Sequence, residues 1–154
     1  NFNIPMGRTG LYLALWIGLG TVTGSLYGLW SRRFGRKRVF LTSLAGATIC
    51  LFIIGFSINQ VISVIALLLF GGFMLMTYPS LHTFVGSTVK DEEQTLAFSW
   101  VSNIQLISGA IITLICGFLS DLVNIRFPFI LTGFFALLIF LFYLPKNERY
   151  FGAK

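Results

Sequence analysis

Two apolar runs, 11–30 and 39–56, flank Ser31-Arg32-Arg33-Phe34-Gly35-Arg36-Lys37-Arg38, which puts five cationic side chains within seven residues. As a helix, each run is long enough to cross about 30 Å of hydrocarbon, or nearly so. The cluster between them cannot stay there, because a Lys or Arg at the centre of a membrane helix costs about 2.5–3.5 kcal/mol. Residues 31–38 are therefore read as a short loop in water. The positive-inside bias makes that water the cytoplasm.

Composition points the same way. The chain is 56% hydrophobic and 10% charged, against about 25% charged in ordinary soluble domains. Its formal charge of +6 is no argument for nucleic acid, since five of its eleven Lys and Arg sit in the one basic loop and the rest of the chain is too apolar for a soluble basic domain. Cys50 and Cys116 fall inside apolar runs without metal-ligand spacing, and are read as inert thiols. No metal or cofactor is expected.

The chain is expected to be all-α: a polytopic bundle of about five membrane helices at 11–30, 39–56, 61–85, 95–119 and 127–144, with a tail at 145–154. Asp91, Glu92 and Glu93 suit the start of the fourth helix, where carboxylates meet the positive end of the helix dipole. With the basic loop inside, the inner segments hold Arg32, Arg33, Arg36, Lys37, Arg38, Lys90, Lys146, Arg149 and Lys154, and the outer ones only Arg8 and Arg126. That bias gives one topology, amino-terminus outside and carboxyl-terminus in the cytoplasm, in a multi-pass protein of the plasma membrane. A start outside the cell at Asn1 leads us to expect one more span upstream, making six.

The basic loop then resembles the signature of the major facilitator superfamily: Gly, three variable residues, Asp, Arg or Lys, any residue, Gly, Arg, Arg or Lys. Here Gly28, Arg33, Gly35, Arg36 and Lys37 match, and Arg32 stands where the family has its Asp. Tyr78-Pro79-Ser-Leu, Lys90-Asp-Glu-Glu93, Gly117-Phe-Leu-Ser-Asp121 and Arg126-Phe-Pro-Phe129 follow in the family's order. The resemblance implies half of a twelve-helix secondary transporter working by alternating access, with Gly28, Arg32, Arg33, Gly35, Arg36 and Lys37 as its cytoplasmic gating loop. The missing Asp belongs to the family's gating charge network, so that part is altered here. An uncharged fourth-helix counterpart around Ala66–Gly72, no Gly-Pro pair near Ser108-Gly109, the degenerate loop and the short basic tail favour the carboxyl-terminal half, helices eight to twelve. Its partner would be the missing amino-terminal half.

Gly20, Gly24 and Gly28 repeat every four residues and form a small-residue helix face, which lets another backbone approach closely. That face either packs statically or meets the absent half. In the fourth helix Ser99, Ser102, Asn103 and Thr113 share one side, while Gln105 and Ser108 point elsewhere. With Tyr78 they are candidates for a substrate cavity, or else they tie helices together by hydrogen bonds. Pro79 removes a backbone donor and marks a kink that could serve as a hinge.

Asp, Glu, Lys and Arg are missing from the middle of every expected span. His82, the only imidazole, would be the group for a coupling proton if that group lies in this segment. A charge-free, aromatic-rich half suits a drug-like or amphiphilic small molecule leaving the cell. Enzymatic chemistry is not expected, because acids, His and Cys do not converge at helical spacing. The alternative is a stand-alone five-span structural or assembly protein, which would leave the signature loop unexplained.

Overall fold

The computed structural model describes residues 6–146. The expected tail is thus covered only at Pro145 and Lys146; the side chain of Arg8, and Arg149 and Lys154 altogether, lie outside the described residues. Five helices make up the fold: α1 Met6–Phe34, α2 Arg36–Phe56, α3 Gln60–Thr88, α4 Gln94–Leu122 and α5 Phe127–Tyr143, with a 3-10 turn at Asp91–Glu93 before α4. Only helices satisfy their own backbone groups within a segment, which is what long apolar stretches need in lipid. The first four are long and apolar enough to cross a membrane. The fifth has 17 residues and rises about 26 Å, short of the usual ~30 Å.

Boundaries follow local chemistry. Asn59 caps α3, its side-chain oxygen accepting from the Val61 N–H at 2.9 Å. Pro128 opens α5, where its missing donor costs nothing. Hydroxyls inside the helices turn onto their own backbone: Ser43 donates to the Val39 carbonyl and Thr48 to that of Leu44, both at 2.8 Å. The expected loop at 31–38 is a correction. The helix continues through Arg32 and Arg33 to Phe34, breaks at Gly35 alone, and restarts at Arg36.

Contacts fix the directions. Trp16 and Gly20 meet Gly71, and Gly24 meets Leu75, so α1 and α3 run parallel. Gly46 faces Phe73 and Val39 clusters with Met76, making α2 antiparallel to α3; Gly55 against Ile130 and Leu51 against Gly133 make it antiparallel to α5. Gln94 donates to the Gly86 carbonyl, and Phe98, one turn later in α4, meets His82, one turn earlier in α3, so α4 also runs against α3. One end of the bundle therefore collects the ends of α1, α3 and α5 and the starts of α2 and α4. Arg32, Arg33, Arg36, Lys37, Arg38, Lys90 and Lys146 all lie there, with Asp91, Glu92 and Glu93.

The protein core sits between α1, α2 and α3, around Tyr27, Val39 and Met76. By contrast α4 has no buried residue. It touches α3 through its first turns and leaves most of its length outside the bundle.

Candidate functional site

The basic corner is built on one backbone feature. Gly35 has φ 87°, a left-handed conformation that glycine adopts without a steric penalty. This lets α1 end and α2 begin without a linker: Gly35 N–H still donates to the Ser31 carbonyl at 3.1 Å, and its own carbonyl accepts from Val39 at 3.2 Å. Arg32 and Arg33 then occupy the last turn of α1, where the helix dipole favours cations. Arg36, Lys37 and Arg38 occupy the first turn of α2, where it does not. The Arg33 guanidinium lies over the Phe34 ring, 5.5 Å from its centre.

The small-residue face of α1 meets α3 of the same chain. Gly20 lies against Gly71 and Leu75, and Gly24 against Leu75. The Thr23 hydroxyl reaches across to the Gly72 carbonyl at 2.8 Å. Gly28 does not join them: it is exposed, and a Cβ there would find nothing within 4 Å. Within this chain, then, two of the three glycines form the seam with α3.

The polar residues of α4 also part company with Tyr78. Ser99, Ser102, Asn103 and Thr113 are all exposed and turn away from the bundle. Ser99 and Thr113 donate to the carbonyls of Thr95 and Gly109 at 2.9 and 2.7 Å. Asn103 has no hydrogen bond to any described residue. The inward side of α4 carries Gln94, Phe98, Val101 and Gln105, all half-buried. Phe98 leans on His82 with ring centres 5.7 Å apart, which seats the imidazole at the α3–α4 contact.

Between α2, α3, α4 and α5 lies an apolar cavity of about 470 Å³, and Tyr78 lines it with Gln105. Phe40 and Leu44 of α2, Met74 of α3 and Ile139 of α5 supply apolar wall. Thr77 and Thr132 also reach it, but their hydroxyls donate to the Phe73 and Pro128 carbonyls at 3.1 and 2.8 Å. The Tyr78 hydroxyl and the Gln105 amide have no such partner among the described residues. Among the described residues no Asp, Glu, Lys, Arg or His lines the space. Its volume suits a small molecule, and its chemistry favours a neutral one, since an unpaired ion there would lose its hydration uncompensated. Sequence reasoning expected Gln105 to face protein or a cavity but did not pair it with Tyr78. Its spacing from Gln94, Phe98 and Val101 was the available signal.

Pro79 lies inside α3, one residue from Tyr78. The helix runs unbroken to Thr88, so the proline removes a donor without ending it.

The profile described as Major Facilitator Superfamily matches residues 1–153. The chain is 30% identical over 146 residues to the Multidrug resistance protein MdtG of Proteus mirabilis (strain HI4320). That similarity covers 90% of this chain and 35% of the relative, so the chain spans about a third of the relative's length. No solved structure matches.

Proposed function

The chain belongs to the Major Facilitator Superfamily, and from that premise we propose that it is the carboxyl-terminal half of a secondary transporter that exports a neutral or amphiphilic small molecule by alternating access. It is a multi-pass membrane protein of a transporter family, not an enzyme. The observation that carries the reading is the outward side of α4. Asn103, Ser102, Ser99 and Thr113 lie exposed on a helix long and apolar enough to be in the membrane, and an amide facing hydrocarbon without a partner is unfavourable. Such a side is at home against a water-filled path between two halves. The charge-free cavity and the multidrug name of the relative support the substrate class. A free-standing five-span structural protein would leave this polar side facing lipid.

The experiment is Asn103→Ala in the full-length protein. If Asn103 lines the path, transport falls while abundance and thermal stability stay nearly unchanged. If it only joins helices, stability drops by about 1 kcal/mol, the usual size of an interhelical hydrogen bond, and apparent substrate affinity stays put. The second pattern would remove Asn103 from the path.

Orientation is part of the proposal: the basic end faces the cytoplasm, the amino-terminus of this chain lies outside, and the membrane is the plasma membrane. Replacing Arg33, Arg36 and Lys37 together with Gln weakens the charge asymmetry that fixes orientation and removes the cytoplasmic corner's gating contacts. We expect mixed topology and a severe loss of transport. A cysteine at position 38 should stay unreactive to an impermeant maleimide outside intact cells, and labelling there would invert the topology.

A further inference from the structure

Tyr78 of α3 and Gln105 of α4 share the apolar cavity, yet their polar groups do not bond to each other or to any other described residue. Both helices have 29 residues, and Tyr78 lies four residues past the midpoint of α3, Gln105 three before that of α4. Because the helices run in opposite directions, both side chains are displaced towards the basic end, by about 6 and 4.5 Å. A ~30 Å hydrocarbon layer extends about 15 Å from its middle, which leaves both side chains roughly 10 Å inside its edge. Tyr78 is 37% exposed and Gln105 half-buried, but at that depth bulk water does not supply the missing partner. A hydrogen-bonding group left unmet in hydrocarbon is unfavourable.

The chemistry of the wall narrows what can meet them. A space of about 470 Å³ is many times a water molecule's share of ~30 Å³, and each water needs two to four polar partners. The Thr77 and Thr132 hydroxyls already donate to their own helices, so Tyr78 and Gln105 would have to hold a filling of water against an otherwise apolar wall. An ion would find no opposite charge among the described lining residues. A phospholipid of the bilayer has its ester groups near the hydrocarbon edge, too far out, and its chains carry nothing to bond. What fits is an uncharged, mainly apolar molecule with one compact acceptor. A carbonyl oxygen has two lone pairs, and can accept from the Tyr78 hydroxyl and the Gln105 amide at once.

We propose that Tyr78 and Gln105 are the recognition pair of this cavity, and that they select neutral lipophilic molecules carrying a carbonyl group over hydrocarbons of the same shape. Among the described residues Gln105 is the only part of α4 in the lining. It lies about two turns beyond Phe98, so a molecule held by the pair also ties α4 to α3 past the contact the helices make themselves. That this molecule is the exported one rests on the transporter reading; that the pair binds a carbonyl does not.

The test is equilibrium dialysis of radiolabelled fluorenone and fluorene, flat molecules that differ in a ketone against a methylene. The full-length protein is held in lipid nanodiscs, and uptake by empty nanodiscs is subtracted. Wild type should bind fluorenone saturably and about threefold to tenfold more tightly than fluorene, the range expected from neutral hydrogen bonds. Tyr78→Phe and Gln105→Leu should each remove most of that preference by weakening fluorenone, with fluorene bound as before. Leu106→Ala, on the exposed side of α4, should leave both affinities as they were. If Gln105→Leu does not fold, the Tyr78→Phe ratio decides. Equal affinity of wild type for the two molecules would overturn the proposal. So would an absence of saturable fluorenone binding, which would mean that the rest of the full-length protein fills the space. An equal loss of both molecules in the variants would mark a structural role and overturn it too. Selective binding by a protein that exports nothing would uphold the pair and remove the transporter reading; export without that selectivity would do the reverse.

Discussion

Gly20→Leu is expected to cut the yield of folded full-length protein by about an order of magnitude and to lower its thermal stability more than a substitution on any exposed face. A Cβ at Gly20 would lie 2.9 Å from the Gly71 carbonyl oxygen and against the Leu75 side chain. Leu75 can swing aside; the Gly71 carbonyl is backbone, and the whole of α3 must move with it. Overpacking a well-fitted contact costs about 1–3 kcal/mol and sometimes more, and three further carbons have to be placed after the first. Lipid does not drive α1 onto α3 as water would, so close backbone approach is much of what holds them. Alanine variants grade the effect. Gly20→Ala should cost more than Gly24→Ala, where the nearest atom is the Leu75 carbonyl oxygen at 3.3 Å, and that more than Gly72→Ala, where the Thr23 methyl is 3.5 Å away. Differential scanning fluorimetry on the purified variants reads the order. A reversed order would mean that α1 and α3 do not meet in this register.

The same glycines show what the sequence could and could not reveal. A step of four residues turns a helix by about 400°, so a four-residue repeat drifts some 40° at each step. Gly24 is still within reach of α3, whereas Gly28 has drifted about 80° from Gly20 and lies open. Periodicity also reported correctly that Ser99, Ser102, Asn103 and Thr113 share a side. It could not report which neighbour that side faces, and so it grouped Tyr78 with residues of α4 other than the Gln105 that shares its cavity. The five helices were legible because each coincides with an apolar run. Helix ends were less so, since α1 carries Arg32 and Arg33 beyond the lipid without unwinding.

Residues 1–154 alone, reconstituted in proteoliposomes, should give substrate flux no greater than protein-free vesicles. In the proposed mechanism the path runs between two halves that rock against each other, and this chain spans about a third of its relative's length. It supplies a single wall. The outward side of α4, with Asn103 and its neighbours, would then face lipid, and α4 touches the rest of the bundle only through its first turns on α3 and through α5. An isolated helix so weakly held will shift or pair with a second copy. Absence of flux by itself would also suit a structural protein, so the decisive arm is complementation. Supplying the remainder of the full-length transporter as a separate polypeptide in the same membrane should restore measurable export of a neutral dye, and Asn103→Ala in this chain should lower it again. Flux from the isolated chain would show that the path lies within these five helices. In that case the cavity between Tyr78 and Gln105 would be the place to look for it, and Gln105→Leu, rather than Asn103→Ala, would be the substitution that stops transport.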